Sequence, residues 1–203
     1  MRALAFRREL QRAHLLAGRP QPGGRDPAPG ALVLVQDLVN TVDREHGPDL
    51  LDDAAGLREW LALRDMAVEN VSVNDLVNVR NLREALRGLL LANNGGPEPP
   101  GARPVLELAG ERARLTVRLD PDGAALAPVT NGVDGALGRV VAAAAVAMWD
   151  GTWARLKACP RDACHWAFYD RSPNASATWC AMSICGQRVK ARTYYRRRRA
   201  SGD

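Results

Sequence analysis

The sequence predicts an α+β protein in which a mixed helix and strand domain is followed by a small zinc-binding module with a basic C-terminal helix. Two amphipathic helix patterns and a hairpin pattern lie within residues 31–150. All four cysteines lie between Cys159 and Cys185, and the excess of positive charge lies in the same part of the chain. A chain of 203 residues has room for one ordinary domain and a small appended one.

We divide the chain at two points. Residues 1–30 are expected to form a disordered leader, because a short helical pattern at Leu4–Leu16 gives way to Gly18–Gly30, whose Gly- and Pro-rich composition does not support packing. Residues 31–155 are expected to form the main domain, and residues 156–203 the zinc module.

The main domain begins with two apolar patterns. The β-branched run Ala31–Val35 predicts a strand, and the spacing of Leu38, Val39 and Val42 after it suits a helical turn. A short helix is predicted around Leu57–Arg64.

The clearest helical pattern covers Val73–Ala92. Ser72 and Asp75 form a capping pair at its start, and Asn93–Gly96 ends it. Its apolar positions recur every three or four residues, at Leu76, Val79, Leu82, Leu86, Leu89 and Leu90.

A hairpin and a second long helix are predicted next. Residues 97–104 form a Pro- and Gly-rich loop, after which Leu115–Leu119, the turn Asp120–Gly123 and Leu126–Val129 predict a hairpin. The helix is expected over 131–149, with an apolar face made of Val133, Leu137, Val140, Val141, Ala144 and Met148.

The cysteines form two close pairs, Cys159-x4-Cys164 and Cys180-x4-Cys185, separated by fifteen residues. This spacing, at the wide end of the usual range, indicates a tetrahedral four-thiolate Zn2+ site, which is structural because no coordination position stays open. Two disulfides or four unrelated thiols are the alternatives. We expect no signal peptide and no membrane span, and therefore a cytoplasmic protein whose thiols stay reduced, which favours zinc. His165 is interpreted as a polar surface residue.

Positive charge is concentrated at the C-terminus. The net charge is +5, but residues 157–203 hold ten Lys or Arg against three acids, so the preceding part of the chain is slightly negative. On a helix that starts at Cys185, one sector carries Arg188, Arg192, Arg196 and Arg199, and the other sides carry Lys190, Arg197 and Arg198.

This basic segment predicts a polyanion as the partner. Guanidinium groups bind phosphate oxygens in a bidentate way, and several such contacts give steeply salt-dependent binding. A solvated tail, whose cations only stabilise the helix C-terminus, is the alternative.

Two stretches resemble a known family arrangement. Cys159–Asn174 and Trp179–Lys190 resemble the CGNR zinc finger, with its aromatic-Asp-Arg-Ser stretch, Trp-Cys-x-Met sequence and trailing basic helix. Asp37–Val42 and Leu82–Leu86 resemble the ABATE domain that usually precedes this finger. The resemblance implies a stress-related transcription regulator, in which an α+β sensor or ligand-binding domain precedes a treble-clef-like zinc module that binds DNA.

Three positions depart from the family pattern. Gln187 stands where the family has Asn, and His165 stands where Gly is usual after the second ligand. Because Gln keeps an amide, we expect the fold to be retained. Ala177 and Thr178 replace a basic pair that commonly precedes the Trp, which removes some of the expected phosphate contacts.

The leading functional prediction is a zinc-dependent DNA-binding transcription regulator with no membrane partner. An RNA-binding zinc protein is the alternative, because Tyr194, Tyr195 and Trp179 could stack on unpaired bases. The side chains predicted to contact nucleic acid are Arg171, Arg188, Lys190, Arg192, Arg196, Arg197, Arg198 and Arg199.

Two functions are considered for the main domain, an enzyme and a sensor. An enzyme is the less favoured interpretation, because no P-loop, nucleophile-elbow or dinucleotide-binding motif accompanies the polar cluster Asp37, Asn40, Thr41, Asp43 and His46. A sensor is expected to hold a small-molecule effector near Asp37, Asn40, Thr41 and Arg83.

Overall fold

The computed structural model describes residues 12–13, 15–16, 21–45, 47–121 and 123–201. Its helices are α1 (Val33–Val39), α2 (Ala54–Ala62), α3 (Val73–Ala92), α4 (Ala102–Ala113), α5 (Gly132–Asp150) and α6 (Gln187–Ser201). Two antiparallel hairpins are formed by β1 (Thr116–Asp120) with β2 (Gly123–Ala127), and by β3 (Leu156–Ala158) with β4 (Ala167–Tyr169). Short 3-10 turns lie at Pro22–Gly24, Gly30–Leu32, Leu50–Asp52 and Thr152–Arg155.

Helices α3 and α5 form the centre of the main domain, as their apolar patterns predict. The Ser72 hydroxyl accepts from the Asp75 N–H while the Asp75 carboxylate accepts from the Ser72 N–H, which confirms the capping box. The predicted apolar face of α5 is buried apart from Met148.

Helix α4 packs against both α3 and α5, although the sequence predicts a loop at 97–104. The helix follows Gly101, and Pro104 lies in its first turn. Proline is tolerated there because the first N–H groups of a helix have no partner within it. The Pro-Gly composition therefore marks the start of a helix as well as the end of a loop.

The predicted strand at Ala31–Val35 is wrong, because this stretch forms the Gly30–Leu32 turn and the first residues of α1. Leu32, Val35 and Leu38 recur at a spacing of three, and all three are buried in the main core. Packing on this helical face outweighs the strand preference of the β-branched residues.

The expectation that Gly18–Gly30 cannot pack is also wrong for its described part, 21–30. Gln21 and Ala28 are buried, and the Ala28 N–H donates to Gln36 Oε1 at 2.7 Å. A segment with little regular structure can pack in this way when side chains satisfy its backbone groups. Most of the predicted helix at Leu4–Leu16 lies outside the described residues.

The predicted hairpin is confirmed in β1 and β2, with its return strand starting earlier, at Gly123. Thr116 pairs with Ala127, and Asp120 pairs with Gly123. Val117 and Leu119 are exposed, so this hairpin lies on the surface of the main domain.

Helix α5 is long and apolar enough to cross a membrane by length and composition, although no membrane span is expected from the sequence. Fifty-six per cent of its most apolar window is buried inside the protein. Together with its packing against α1 and α4, this burial makes α5 the core helix of the main domain.

The hairpin β3–β4 extends the main core into the cysteine-rich segment. Leu156, Ala158, Ala167 and Tyr169 are buried in the same cluster as the apolar faces of α3 and α5. A second, smaller cluster contains Cys159, Phe168, Cys180 and Cys185. The strands therefore present one face to the main domain and the other to the cysteines.

Candidate metal centre and basic helix

The four cysteine sulfur atoms converge. All four Sγ atoms lie within 4.8 Å of one another, and none of the four cysteines forms a disulfide. The Sγ of Cys180 lies 3.6 Å from the Sγ atoms of Cys164 and Cys185. A tetrahedral Zn2+ with bonds of about 2.3 Å places its sulfur ligands about 3.8 Å apart. The cluster therefore fits a four-thiolate zinc site.

The crowding of the thiols couples their ionisation. Hydrogen bonds from Cys164 and Cys180 hold the pKa of Cys159 well below its ordinary value. The Cys159 group in turn raises the pKa of Cys180. A divalent cation close to all four sulfurs stabilises every thiolate at once, which is the chemistry that Zn2+ supplies to such a cluster.

A tight turn after β3 brings the first two cysteines together. The Cys159 N–H donates to the Trp166 carbonyl at 3.0 Å, and the Cys164 N–H donates to the Arg161 carbonyl at 2.7 Å. His165 closes this turn with a φ of +49°, in the left-handed region. Glycine adopts this conformation without strain, which gives a physical reason for the Gly that the family has here.

A π-helical turn, Met182–Gly186, begins two residues after Cys180 and contains Cys185. The Cys185 N–H donates to the Ala181 carbonyl at 2.9 Å. A Cβ on Gly186 would lie 2.2 Å from the Met182 sulfur and 3.0 Å from the Trp179 ring, so a larger residue here would force the Met182 side chain to move. The Trp-Cys-x-Met and Cys-Gly sequences are thus one packed unit, from which α6 continues.

Asp170 organises the loop between the two cysteine pairs. Its carboxylate accepts from Lys157 Nζ at 2.9 Å, the Ala177 N–H at 2.8 Å and the Ser172 hydroxyl at 2.7 Å. Burial opposes its ionisation, but these hydrogen bonds outweigh burial and lower the pKa of Asp170 to about 2. The Asp of the aromatic-Asp-Arg-Ser stretch is therefore a buried structural anion.

Arg161 links the metal centre to the main domain. Its Nε donates to Cys185 Sγ at 3.2 Å, and its terminal nitrogens donate to Glu45. The hydrogen bond with Glu45 raises the pKa of Arg161, although burial opposes this. Glu45 Oε1 also accepts from Arg188 Nη1, the first cation of α6, at 2.5 Å.

The N-terminal segment also contacts the finger. Arg25 Nε donates to the Cys180 carbonyl at 2.7 Å, and its guanidinium lies 4.9 Å from the centre of the Phe168 ring. Gln21 Oε1 accepts from the Trp166 indole N–H at 3.1 Å. The segment whose composition predicts disorder thus helps to hold the second cysteine pair.

The four residues predicted to bind an effector use their polar groups within the protein. Asp37 pairs with Arg64 at 2.8 Å, and Arg83 pairs with Asp49 at 2.6 Å and donates to the Thr41 hydroxyl. Asn40 is the fourth, and its amide binds the backbone of β4. Asn40, Thr41 and Arg83 are buried, and these contacts give them a structural role. Effector binding by these residues stays a prediction. His46, which belongs to the polar cluster considered for an enzyme, lies outside the described residues.

Sequence reasoning missed several residues that position the metal centre. Arg25, Glu45 and Arg161 form the contacts described above, and Asn94, which the sequence marks only as part of the end of α3, donates to the carbonyls of Ala158 and Thr178. Arg161 lies between two metal ligands in the sequence, and this position could have predicted its contact with the metal centre. The others are distant in sequence from the groups that they bind, and no local pattern marks them.

The predicted phosphate contacts lie mainly on α6. Arg192, Arg196 and Arg199 are exposed and have no ion-pair partner among the described residues. Arg198 lies beside Tyr194, and the side chain of Arg197 is outside the described part. Arg171 lies away from this helix, where it donates to the Pro27 carbonyl.

Fold and site together define an α+β protein that ends in a four-cysteine zinc finger with a structural Zn2+ site. The chain belongs to the ABATE family, described as "Putative stress-induced transcription regulator", whose profile matches residues 30–152. The profile of the CGNR zinc finger matches residues 155–198. Both resemblances noted in the sequence are confirmed, in the expected order. No curated protein matches the chain.

Proposed function

We propose that this protein is a zinc-dependent DNA-binding transcription regulator that binds phosphate groups with α6. We call this helix the basic arm. The observation that carries the proposal is the exposed set of arginines on this helix, at Arg192, Arg196 and Arg199, without ion-pair partners in the described chain. Residues 187–201 contain seven Lys or Arg and no acid. A free cationic face of this kind matches the charge of a nucleic acid backbone.

The zinc site fixes the position of the N-terminal end of the basic arm. We assign Cys159, Cys164, Cys180 and Cys185 as the four metal ligands, and α6 starts two residues after the last of them. A helix with so little apolar surface gains few packing contacts of its own, so its N-terminal end must be held by the finger. With all four positions filled by thiolates, the metal has no site for a reacting water, which supports a regulator over an enzyme.

The test is a titration of zinc-loaded protein against duplex DNA, single-stranded RNA and heparin at several salt concentrations. In one variant Arg196, Arg197, Arg198 and Arg199 are changed to Gln. In the control, four exposed arginines of the main domain, Arg58, Arg112, Arg114 and Arg118, are changed in the same way. Both variants lose the same net charge, so any difference between them reports on position.

Loss of the arm cations should weaken binding and flatten the salt dependence by about 0.9 in slope for each phosphate that the arm no longer neutralises. The control should keep most of the wild-type affinity and slope. Equal behaviour of the two variants would contradict the assignment of the arm as the binding surface. Preference for one duplex sequence over others would distinguish a regulator from a general polyanion binder.

A cleft in the main domain supports a sensor role. It has a volume of about 840 Å³, within the range of small-molecule sites, and lies between the start of α1, strand β2 and one face of α5. The other end of α1 carries Gln36 and Asn40, which bind the backbone of β4 in the zinc finger. An effector in the cleft would therefore contact the helix that holds the finger.

Thermal-shift measurements with several metabolite classes test the sensor role. A ligand of this cleft should raise the melting temperature, and Val146→Phe, at an exposed position of the cleft lining, should abolish the shift without loss of zinc. Absence of a shift with every class would count against a sensor.

RNA remains the second candidate because two aromatic side chains are exposed among the arm cations. Tyr194 and Tyr195 lie 5.7 Å apart in an edge-to-face arrangement, and both are more than half exposed. Such rings can stack on unpaired bases. If Tyr194→Ala and Tyr195→Ala weaken binding to single-stranded RNA more than binding to duplex DNA, RNA is favoured.

A further inference from the structure

We propose that Glu45 of the main domain competes with nucleic acid phosphate for Arg188 and so restrains binding by the basic arm. This inference rests on the proposed function of the arm and concerns its regulation. It follows from three observations: the shared carboxylate of Glu45, the backbone hydrogen bonds on either side of this residue, and the different exposure of its two arginine partners.

Glu45 binds two arginines of the zinc finger at the same time. Its Oε1 accepts from Arg188 Nη1 at 2.5 Å and from Arg161 Nη1 at 3.3 Å, while Oε2 accepts from Arg161 Nη2. Arg161 in turn donates to Cys185 Sγ. One carboxylate of the main domain thus contacts the first cation of the arm directly and is connected to the metal centre through Arg161.

Hydrogen bonds hold the described backbone on both sides of Glu45. An antiparallel bridge joins Val42 to Asp49, and the Asp43 N–H donates to the Pro48 carbonyl at 3.0 Å. The Glu45 N–H donates to the Asp43 carboxylate at 3.0 Å. These bonds fix the backbone position of Glu45 next to the finger. Its side chain is therefore held close to Arg188.

The two contacts differ in exposure. The Arg161 side chain is 9% exposed, whereas that of Arg188 is 53% exposed. Water and salt weaken exposed ion pairs far more than buried ones. A phosphate can therefore displace Glu45 from Arg188 while the Glu45–Arg161 pair stays in place and the zinc site is undisturbed.

Arg188 is distinct from its neighbours on the arm in this respect. Lys190, Arg192 and Arg196 have no ion-pair partner among the described residues, so phosphate meets no competitor there. At Arg188 a phosphate must replace a carboxylate, and breaking that ion pair reduces the gain in binding. Movement of the Glu45 loop would change the number of free arm cations by one.

The experiment compares Glu45→Gln with Glu98→Gln in the full zinc-loaded chain. Glu98 pairs with Arg103 on the surface of the main domain, so both variants lose one acid that binds an arginine. The amide oxygen introduced by Glu45→Gln would still accept a hydrogen bond from Arg161, and metal analysis verifies one zinc per chain. Duplex DNA is titrated at several salt concentrations.

Glu45→Gln should bind duplex DNA about two- to fivefold more tightly, the range that an exposed ion pair represents. Its salt slope should steepen by about 0.9, corresponding to one more phosphate contact. Glu98→Gln should behave like wild type. Equal affinities and slopes for the two variants, with wild type binding DNA, would overturn the proposal and leave the proposed function intact.

A second measurement does not depend on the stability of the Glu45 variant. In the wild-type background, Arg188→Ala should cost less affinity than Arg192→Ala, because Arg188 is already neutralised. Equal reductions in affinity would overturn the proposal. If neither wild type nor Glu45→Gln binds duplex DNA or heparin, the proposed function fails, and this restraint fails with it.

Discussion

The Asn40 side chain satisfies both backbone groups of Ala167, as a neighbouring strand would. Its Oδ1 accepts from the Ala167 N–H at 2.7 Å, and its Nδ2 donates to the Ala167 carbonyl at 2.9 Å. Gln36 Nε2 donates to the same carbonyl at 3.2 Å. The first helix of the main domain is thereby joined to the second strand of the zinc finger, and both side chains are buried.

Asn40→Ala should lower the free energy of unfolding by about 2–4 kcal/mol, because it leaves the buried Ala167 N–H without a partner and weakens the bonding of its carbonyl. Chemical denaturation of the zinc-loaded protein measures this. Asn81→Ala, at an exposed position of α3, is the matched control and should change stability by less than about 0.5 kcal/mol. Equal effects of the two variants would contradict the role of Asn40 in joining the domains.

Asp170→Asn should destabilise the finger by about 3–5 kcal/mol, since it leaves Lys157 buried beside a neutral group. The folded-state pKa of about 2 lies below the ordinary value. The pair therefore stabilises the folded state above about pH 4, and this contribution is lost as the pH falls toward 2.

The measurement for Asp170 is the unfolding midpoint in urea at pH 7, with zinc content determined in parallel. Asp162→Asn, at an exposed position within the same finger, is the control and should be nearly neutral. A fully stable Asp170→Asn variant would show that the Lys157–Asp170 pair does not organise the loop.

His165→Gly should stabilise the zinc-bound finger by up to about 1 kcal/mol, because it relieves the cost of a left-handed backbone at a residue with a Cβ. Competition with a zinc chelator measures this gain as a slower release of zinc or a higher apparent zinc affinity. Ala163→Gly, two residues earlier and outside the left-handed region, should have the opposite effect because it adds only chain entropy to the unfolded state. Weaker zinc retention in His165→Gly would indicate that the imidazole makes a contribution that outweighs the strain.

Zinc removal should unfold the finger unevenly. The strands β3 and β4 belong to the main apolar core, whereas Cys180 and Cys185 belong to the small cysteine cluster. After chelation, amide hydrogen exchange should reach the unfolded rate in residues 180–199 and remain slow in Leu156–Ala158 and Ala167–Tyr169. Loss of protection in both parts together would show that the metal also holds the hairpin in place.

Local patterns were sufficient for the elements whose signals lie within one segment. The capping pair of Ser72 and Asp75 and the apolar spacing after it predicted α3 with its observed ends. The turn at Asp120–Gly123 predicted the first hairpin, and the paired spacing of the cysteines predicted a cluster that fits zinc. In each case the deciding interactions connect residues that are close in sequence.

Other elements required distant partners. Ala31–Val35 has a strand composition, but its burial against the core selects a helix. The 21–30 segment has a disordered composition, but the carbonyls of Trp179 and Cys180 and the side chain of Gln36 give its polar groups partners. Composition does not report on such partners, two of which lie more than 150 residues away in the sequence.

The sequence alone determined the zinc-binding cysteines, the position of the cationic residues and the two long helices, because spacing and charge are properties of a local segment. Only the tertiary structure showed that the side chains of Asn40 and Arg83 form hydrogen bonds within the protein. It alone also showed that Glu45 binds both Arg161 and Arg188. Hydrogen bonds and ion pairs between distant segments exist only after the core has brought those segments together, and they determine which polar residues remain available to a partner.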